Sequence, residues 1–453
     1  MTAGRVEPVP ETLLAKIVKA YDIRGICPDE LEAATARAIG FAFAEWSGAA
    51  RVVLGRDMRP SGLELSESFA DGVQMAGADV IDLGLASTDM LYFASGHLDM
   101  PGAMLTASHN PAEYNGIKLC GPGAAPVGAD SGLAEIAQRA ASGAVVADVR
   151  GRRIRRDLLD TFADHVRSFV DIEHMVPLRV VADTANGMGG HVVPTVFGPL
   201  PFEVELLYGE LDGTFPNHPA DPIRPENLVD LSERVLATGA DVGLAFDGDA
   251  DRVFLVDEQG RATSGSLFTA LVAQAMLRRH GSGPILHNLI CSRAVPEAIA
   301  EAGGQPVRTR VGHSYIKAEM ARTGAVFGGE HSGHYYFAGN YRADSGLIAA
   351  LIALETLSSA GMPLSELLAP LDRYASSGEI NTRVADVDEV LRRTAARFAG
   401  FAQDWLDGLT VDGGDWWFNL RPSNTEPLLR LNLEARDADA VTQHVSEISA
   451  LLA

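Results

Sequence analysis

The chain has 453 residues, 47% hydrophobic and 21% charged, which is ordinary for a globular protein and too long for a single core. Its 37 Lys and Arg against 60 Asp and Glu give a formal charge of -23, which excludes a nonspecific nucleic-acid binder, because that function needs a basic footprint. Cys27, Cys120 and Cys291 are scattered without metal spacing, Met1 to Pro10 carries no signal-peptide core, and no apolar run approaches the roughly 20 residues of a membrane span, so a cytoplasmic, soluble protein without disulfides is expected.

In chain order, residues 20–145 alternate strand-like and helix-like segments. Tyr21-Asp22-Ile23-Arg24-Gly25 is a polar loop ahead of the first long helix. Arg51-Val52-Val53-Leu54-Gly55 reads as a short apolar strand, and Ser61 to Ala76 has apolar residues at helical spacing, with Ser61 placed to cap it. Arg56 and Arg59, between them, are expected as solvated surface charges or as partners of a nearby Asp. Asp79 to Gly84 is the next strand. Such alternation predicts an α/β layer whose loops gather at strand ends, where ligands bind.

Thr106-Ala107-Ser108-His109-Asn110-Pro111 interrupts two strands, Gly102 to Leu105 and Gly116 to Cys120. Pro111 forbids a continuing helix and pushes Asn110 toward extended backbone. Ser108 is therefore expected at an exposed strand end, beside His109 and within reach of Lys118. A neutral serine needs a base, a metal or nearby cations to act as a nucleophile. The loop taken alone fits a plain turn equally well.

Residues 140–156 read as a linker, after which the alternation restarts. Leu158 to Val170 is a predicted helix, and Leu178 to Asp183 a strand running into a glycine-containing loop, the shape already seen at Val52 to Gly62. Asp212 to Pro222 is a long polar, proline-rich loop. Two further strands, Asp241 to Phe246 and Val253 to Val256, flank Asp247-Gly248-Asp249-Ala250-Asp251-Arg252. Three carboxylates at alternating positions converge if this loop curls, and such hard oxygen donors select Mg²⁺ or Ca²⁺. An EF-hand is excluded, because Arg252 stands where that loop needs glycine and strands flank it where helices are needed.

A third α/β unit follows, with helices at Ser266 to Leu277 and Arg293 to Ala302 and a strand at Pro284 to His287. Arg308 to Lys317 places cations and His313 around a turn into a helix, with Lys317 expected to be solvated. Gly329-Glu330-His331-Ser332-Gly333-His334 is a polar loop whose side chains suit hydroxyl recognition. Asp344 is expected to cap the apolar helix Leu347 to Leu357. Beyond about residue 372 the composition changes to a small α+β domain, with strands near 379–384, 416–420 and 428–433 and helices at 387–398 and 438–452. There Arg421-Pro422-Ser423-Asn424-Thr425-Glu426-Pro427 concentrates donors suited to a phosphate.

These five loops, in this order, resemble the α-D-phosphohexomutase superfamily, and most closely its phosphomannomutase and phosphomannomutase/phosphoglucomutase branch. The resemblance runs from Tyr21 to about Leu433. It implies four domains around a central cleft: three related α/β/α mixed-sheet units, at 1–152, 153–258 and 259–372, and a C-terminal TBP-like α+β domain at 373–453. It implies that Ser108 carries a phosphoryl group and that Asp247, Asp249 and Asp251 hold Mg²⁺ with it. His109, Lys118 and Arg252 then belong to the reacting centre. By the same resemblance Glu330 and Ser332 would bind sugar hydroxyls, Arg421, Ser423, Asn424 and Thr425 would grip the non-reacting phosphate, and Arg430 would be a further substrate-binding residue. Tyr21, Arg24, His313 and His334 line the same cleft.

The implied reaction interconverts mannose 6-phosphate and mannose 1-phosphate, with a hexose 1,6-bisphosphate as intermediate and activator. The implied partner is a small phosphosugar, with no nucleic acid or membrane, for a monomer or homodimer. Glucose phosphates are further substrates if Glu330 and Ser332 leave C2 unread. Phosphoglucosamine mutases usually carry Gln where His331 stands, and glucose-specific phosphoglucomutases lack the Gly333-His334 continuation. A catalytically silent phosphosugar binder would have lost the serine or an aspartate, and all are present. Some relatives have a lysine near Ile290, so that contact is expected to be either missing here or replaced by Arg293 or Arg310.

Overall fold

The computed structural model describes residues 5–422 and 428–452, apart from the His313 side chain. It forms two compact units, Met1–Ser264 with Ser332–Leu367, and Gly265–His331 with Leu368–Ala453. Among the described residues no helix is long and apolar enough to cross a membrane.

The first unit begins with a mixed sheet in the spatial order Ile23–Ile26, Tyr114–Gly121, Gly102–Leu105, Arg51–Arg56, Asp79–Leu85, Arg153–Arg155. The last four run parallel, and Tyr114–Gly121 turns back antiparallel to both of its neighbours. Val52, Val53 and Leu54 are buried, as expected of a strand covered on both faces. The helices Ala33–Ser47 and Gly62–Met75 meet almost backbone to backbone. A Cβ on Gly72 would lie 2.0 Å from the Arg37 carbonyl oxygen, and one on Gly40 would lie 2.2 Å from that of Phe69. That approach lets Phe43 and Phe69 be fully buried, each contributing about 1.5–3 kcal/mol. Arg56 pairs in register with Leu105, so the loops that follow both residues leave the same end of the sheet.

A second sheet repeats the plan. Glu203–Leu207, Arg179–Asp183 and Val242–Phe246 are parallel, and Val253–Asp257 returns antiparallel. In both sheets the loop of interest joins a buried parallel strand to its antiparallel neighbour: residues 106–113 in the first, 247–252 in the second. The duplicated unit expected from the sequence is thus visible in topology.

Several local expectations are corrected. The 140–156 stretch is not simply a linker, because Arg153–Arg155 adds a strand to the first sheet beside Asp79–Leu85. Ser61 holds the N-cap position of Gly62–Met75 but makes no side-chain cap; its hydroxyl accepts from Asn115 Nδ2 at 2.9 Å. The helix Gly346–Ala360 is capped by Ser345, not Asp344, which is drawn away to His334. Lys317 is buried, not solvated, because its face of His313–Thr323 carries the buried Ile316 and Met320.

In the second unit Pro284–Asn288 lies between Gln305–Thr309 and Phe327–Gly329, all parallel. Residues 368–453 build a five-stranded antiparallel sheet, in the order Ala375–Arg383, Leu428–Ala435, Trp416–Pro422, Leu409–Asp412, Ala402–Asp404, with the helices Val387–Arg397 and Ala438–Leu452. Leu429, Leu431 and Leu433 alternate into its core, which places Arg430 on the other face. This sheet is fastened to the 265–331 segment by polar contacts. The Arg293 backbone N–H donates to Glu434 at 3.0 Å, the Val311 N–H to Asp407 at 3.2 Å, and Arg308 pairs with Asp404.

Candidate active site

The loop carrying Ser108 is built around a buried cation. Arg59 is 1% exposed, and its two terminal nitrogens donate to the carbonyls of Ser108, Asn110, Pro111 and Tyr114 at 2.6–2.9 Å. Its Nε lies 3.2 Å from the buried Asp57 carboxylate. Arg59 is therefore an ion-paired residue, as one of the two sequence expectations held, and not a surface charge. The Thr106 hydroxyl accepts the Ser108 N–H, and Ser108 adopts φ 51°, a left-handed conformation that non-glycine residues adopt only when surroundings enforce it. Ser108 was expected to be exposed but is buried, because the acidic loop closes over it. A Cβ on Gly248 would stand 2.4 Å from the Ser108 carbonyl oxygen, so glycine is needed for the two loops to touch.

The contact brings the hydroxyl to the carboxylates. Ser108 Oγ donates to Asp247 Oδ2 at 2.8 Å. Oxygens of Asp247, Asp249 and Asp251 all lie within 4.8 Å of one another. Lys118 Nζ sits 2.7 Å from both Asp249 Oδ2 and Asp251 Oδ2, and the Thr88 hydroxyl donates to Asp249 at 2.5 Å. Arg252 Nε donates to Asp247 Oδ2 at 2.9 Å.

Asp249 Oδ1 and Asp251 Oδ1 are buried without a hydrogen-bond partner, which is costly for a carboxylate. Three buried carboxylates, two of them with an orphaned oxygen, are a donor set that fits a hard divalent cation. Asp251 also forms a second candidate cluster with His334 and Asp344.

Burial pushes the Asp247 carboxyl up to about 7, against the opposing charge of Arg252 and with the help of Asp251 and Asp249. Burial also acts to raise Asp249, but the charge and hydrogen bond of Lys118 outweigh it and hold that carboxyl well below its ordinary value. Burial and the Asp249 charge raise Asp251. For Lys118 burial opposes the ammonium, yet Asp249 and Asp251 keep its pKa well above normal.

His109 Nδ1 is 3.2 Å from Ser108 Oγ, and burial, then the charges of Arg252 and Arg24, hold this imidazole neutral, far below its ordinary pKa. Arg24 pairs with Asp22 at 2.7 Å and donates to the Asn110 side chain. His334 Nδ1 lies 2.9 Å from Asp344 Oδ2 and 3.9 Å from Asp251 Oδ1. Arg252 Nη2 is buried without a partner. Tyr21 is half-buried, two residues before Ile23–Ile26. Ser108, His109, Lys118, Arg252, the three aspartates, Arg24 and His334 thus gather in the first unit, from segments up to 310 residues apart in sequence (334 − 24).

The remaining expected residues divide differently. Ser332 belongs to the first unit and Glu330 to the second. Buried Glu330 accepts from Asn288 Nδ2 at 3.2 Å and from the Gly312 N–H at 3.1 Å. His313 opens the helix His313–Thr323, but its side chain lies outside the described residues, as do Ser423, Asn424 and Thr425. Arg421 and Arg430 each bond one oxygen of Glu379 at 3.0 Å.

Arg293 is not available to stand in for the lysine absent near Ile290. Its guanidinium is occupied by Asp412 and the carbonyls of Gly414 and Trp416. Arg310 instead lies 5.0 Å over the Tyr315 ring. Sequence reasoning offered Arg59 only an unspecified nearby Asp, without singling out Asp57, and missed Thr88 and Glu379. The close spacing of Asp57 and Arg59 was the one available signal for that pair, and nothing local marked the other two.

The chain matches all four domains described for phosphoglucomutase/phosphomannomutase: alpha/beta/alpha domain I over residues 15–145, domain II over 160–260, domain III over 264–374 and the C-terminal domain over 379–451. The chain belongs to the phosphoglucomutase/phosphomannomutase family. It is 40% identical over 440 residues to phosphohexose mutases of Xanthomonas campestris pv. campestris, covering 96% of this chain and 98% of that one. It is 39% identical over 447 residues to a phosphomannomutase of Salmonella montevideo, covering 96% and 98%. A crystal structure of a phosphoglucomutase/phosphomannomutase family protein from Burkholderia thailandensis superposes with a TM-score of 0.89 at 33% identity, covering 98% of this chain and 97% of that one. The four-domain architecture expected from the sequence is the family's, and the protein is a phosphohexomutase, an isomerase that moves a phosphoryl group within a small phosphosugar.

Proposed function

We propose that this phosphohexomutase interconverts mannose 6-phosphate and mannose 1-phosphate, and also accepts glucose phosphates, through a phosphoserine at Ser108 and a hexose 1,6-bisphosphate. The observation that carries the reading is the 2.8 Å contact of Ser108 Oγ with a carboxylate whose two partners have orphaned buried oxygens. The phosphomannomutase names of the relatives support the choice of sugar.

Asp247, Asp249 and Asp251 would hold Mg²⁺, which when bound supplies positive charge to the transferring phosphoryl oxygens. The residues of the chain do the rest. Arg252, with a buried unpaired Nη2, offers a donor to a phosphoryl group on Ser108. The P–O bond to Ser108 breaks as a sugar hydroxyl oxygen forms the new one. That hydroxyl loses its proton to a neutral base, and Ser108 Oγ leaves with the electron pair and is reprotonated. His109, 3.2 Å from Ser108 Oγ, has the free lone pair that such a base needs, although burial and the charges of Arg252 and Arg24 weaken it, whereas Lys118, held charged between two carboxylates, has none.

Phosphoryl transfer of this kind asks chiefly for positioning and charge stabilisation. The bisphosphate then turns end for end and returns its other phosphate to Ser108. This requires a second phosphate grip indifferent to which end it holds. We assign it to Arg421, Ser423, Asn424, Thr425 and Arg430, and sugar-hydroxyl recognition to Glu330 and Ser332, in domains spanning 1–152, 153–258, 259–372 and 373–453. Tyr21, Arg24, His313 and His334 complete the assigned binding residues.

Intact-protein mass before and after incubation with mannose 1-phosphate tests the mechanism. One labile phosphoryl group on Ser108 and an inactive Ser108→Ala variant are expected; a turning-over Ala variant would refute it. Steady-state rates on mannose, glucose and glucosamine 1-phosphates test the choice of sugar.

A further inference from the structure

The strand pairing of the C-terminal sheet sets Arg421 directly opposite Arg430. Like charges facing each other across two strands destabilise a sheet unless a counter-charge sits between them. Glu379, from the neighbouring strand Ala375–Arg383, is that counter-charge: its Oε2 lies 3.0 Å from Arg421 and its Oε1 3.0 Å from Arg430. Each guanidinium therefore spends a single terminal nitrogen on the carboxylate, where an arginine facing a carboxylate alone would use two in a fork. Among the described residues the Nε of Arg421 and the Nε of Arg430 are both buried without an acceptor. The three side chains carry one net positive charge and leave donors unspent.

We propose that Glu379 is a positioning residue that limits how tightly these two arginines hold the non-reacting phosphate of the sugar. The inference rests on the assignment of Arg421 and Arg430 as a phosphate grip. The physical reason follows from the reaction itself. A bisphosphate that must let go, turn and rebind is slowed by a grip that is equally tight in every state, since uniform binding does not accelerate turnover. Sharing two guanidiniums with a built-in carboxylate weakens the grip while keeping both forks aligned. A phosphate that enters takes the unspent N–H donors and competes with Glu379 for the rest.

The test titrates inorganic phosphate into the full-length protein and follows the Arg421 and Arg430 Nε–H resonances by nitrogen NMR, assigned with Arg421→Lys and Arg430→Lys. In Glu379→Gln the phosphate affinity read from these signals should rise about tenfold, the effect of removing one charge-assisted competitor. Its KM should fall with kcat, while Glu379→Asp, which keeps the charge, should stay near wild type in both. An unchanged or weaker phosphate affinity in Glu379→Gln, with wild-type resonances still responding, overturns the role of Glu379 and leaves the phosphate grip standing. Silence of both resonances in wild type, with normal turnover in Arg421→Lys, overturns the grip and this inference with it.

Discussion

Ser108 Oγ donates to Asp247 Oδ2 at 2.8 Å across 139 positions of sequence. Ser108 and the acidic loop each sit between a buried parallel strand and an antiparallel return, in two different sheets. Their meeting depends on a buried arginine beneath one loop and a glycine in the other, and the predictions below probe those supports.

Lys118 is the counter-charge of Asp249 and Asp251 when no cation is present. Lys118→Met leaves two buried carboxylates uncompensated, a loss of about 3–5 kcal/mol. Without divalent metal its melting temperature should fall well below wild type. Saturating Mg²⁺ should restore much of the difference, with a larger rise than wild type shows, and activity should stay absent. Thermal melts with and without Mg²⁺ measure this, and a metal-free melt equal to wild type would contradict it.

Arg59→Lys replaces a fork that reaches four loop carbonyls with a single ammonium. The Ser108 loop should relax, and kcat should drop about a hundredfold, the usual cost of misplacing a reacting group by about 1 Å. Steady-state kinetics check it, and unchanged kcat would show that the loop holds its shape without the fork.

Gly248→Ala forces a methyl group to 2.4 Å from the Ser108 carbonyl oxygen. Backbone must move, at about 1–3 kcal/mol. The two loops should separate, so that kcat falls about a hundredfold while circular dichroism stays native.

His287, in the second unit, gives a pH signature of its own. Burial lowers its pKa to about 4, with Arg308 adding to the effect and the bond to the Asn288 carbonyl opposing it. The unfolded chain takes up this proton near 6.5 and the folded one only near 4, so protonation favours unfolding throughout that window. Stability from this residue is complete above pH about 6.5 and declines as pH falls toward 4, by about 3 kcal/mol in all. Urea midpoints measured from pH 7.5 to 4.5 (about one to two units around the ordinary imidazole pKa) should fall less steeply in His287→Gln than in wild type. Parallel profiles would refute the assignment.

Most of the secondary structure was legible because it is local. Apolar strands such as Val52 to Leu54, and helices of regular period such as 387–398 and 438–452, announce themselves within a few residues. Capping was less legible. Asp344 and Ser345 are both competent caps by type, and the choice of Ser345 follows from the pull of His334 on Asp344, a contact ten positions away. Lys317 looked solvated by type and is buried because of the side of its helix that it occupies.

By itself the sequence determined the chemistry on offer: one serine on a proline-bounded loop, three carboxylates at alternating positions, and arginine-rich turns, all at strand ends. Residue type and short spacing carry that information directly. Only the tertiary structure decided how those groups are used. It buried Ser108 under the Asp247 loop, made Arg59 a scaffold, spent Arg293 on Asp412, and set Lys118 between two acids. The physical reason is that each of these outcomes is a competition for partners among groups distant in the chain, settled by packing and charge that no local pattern contains.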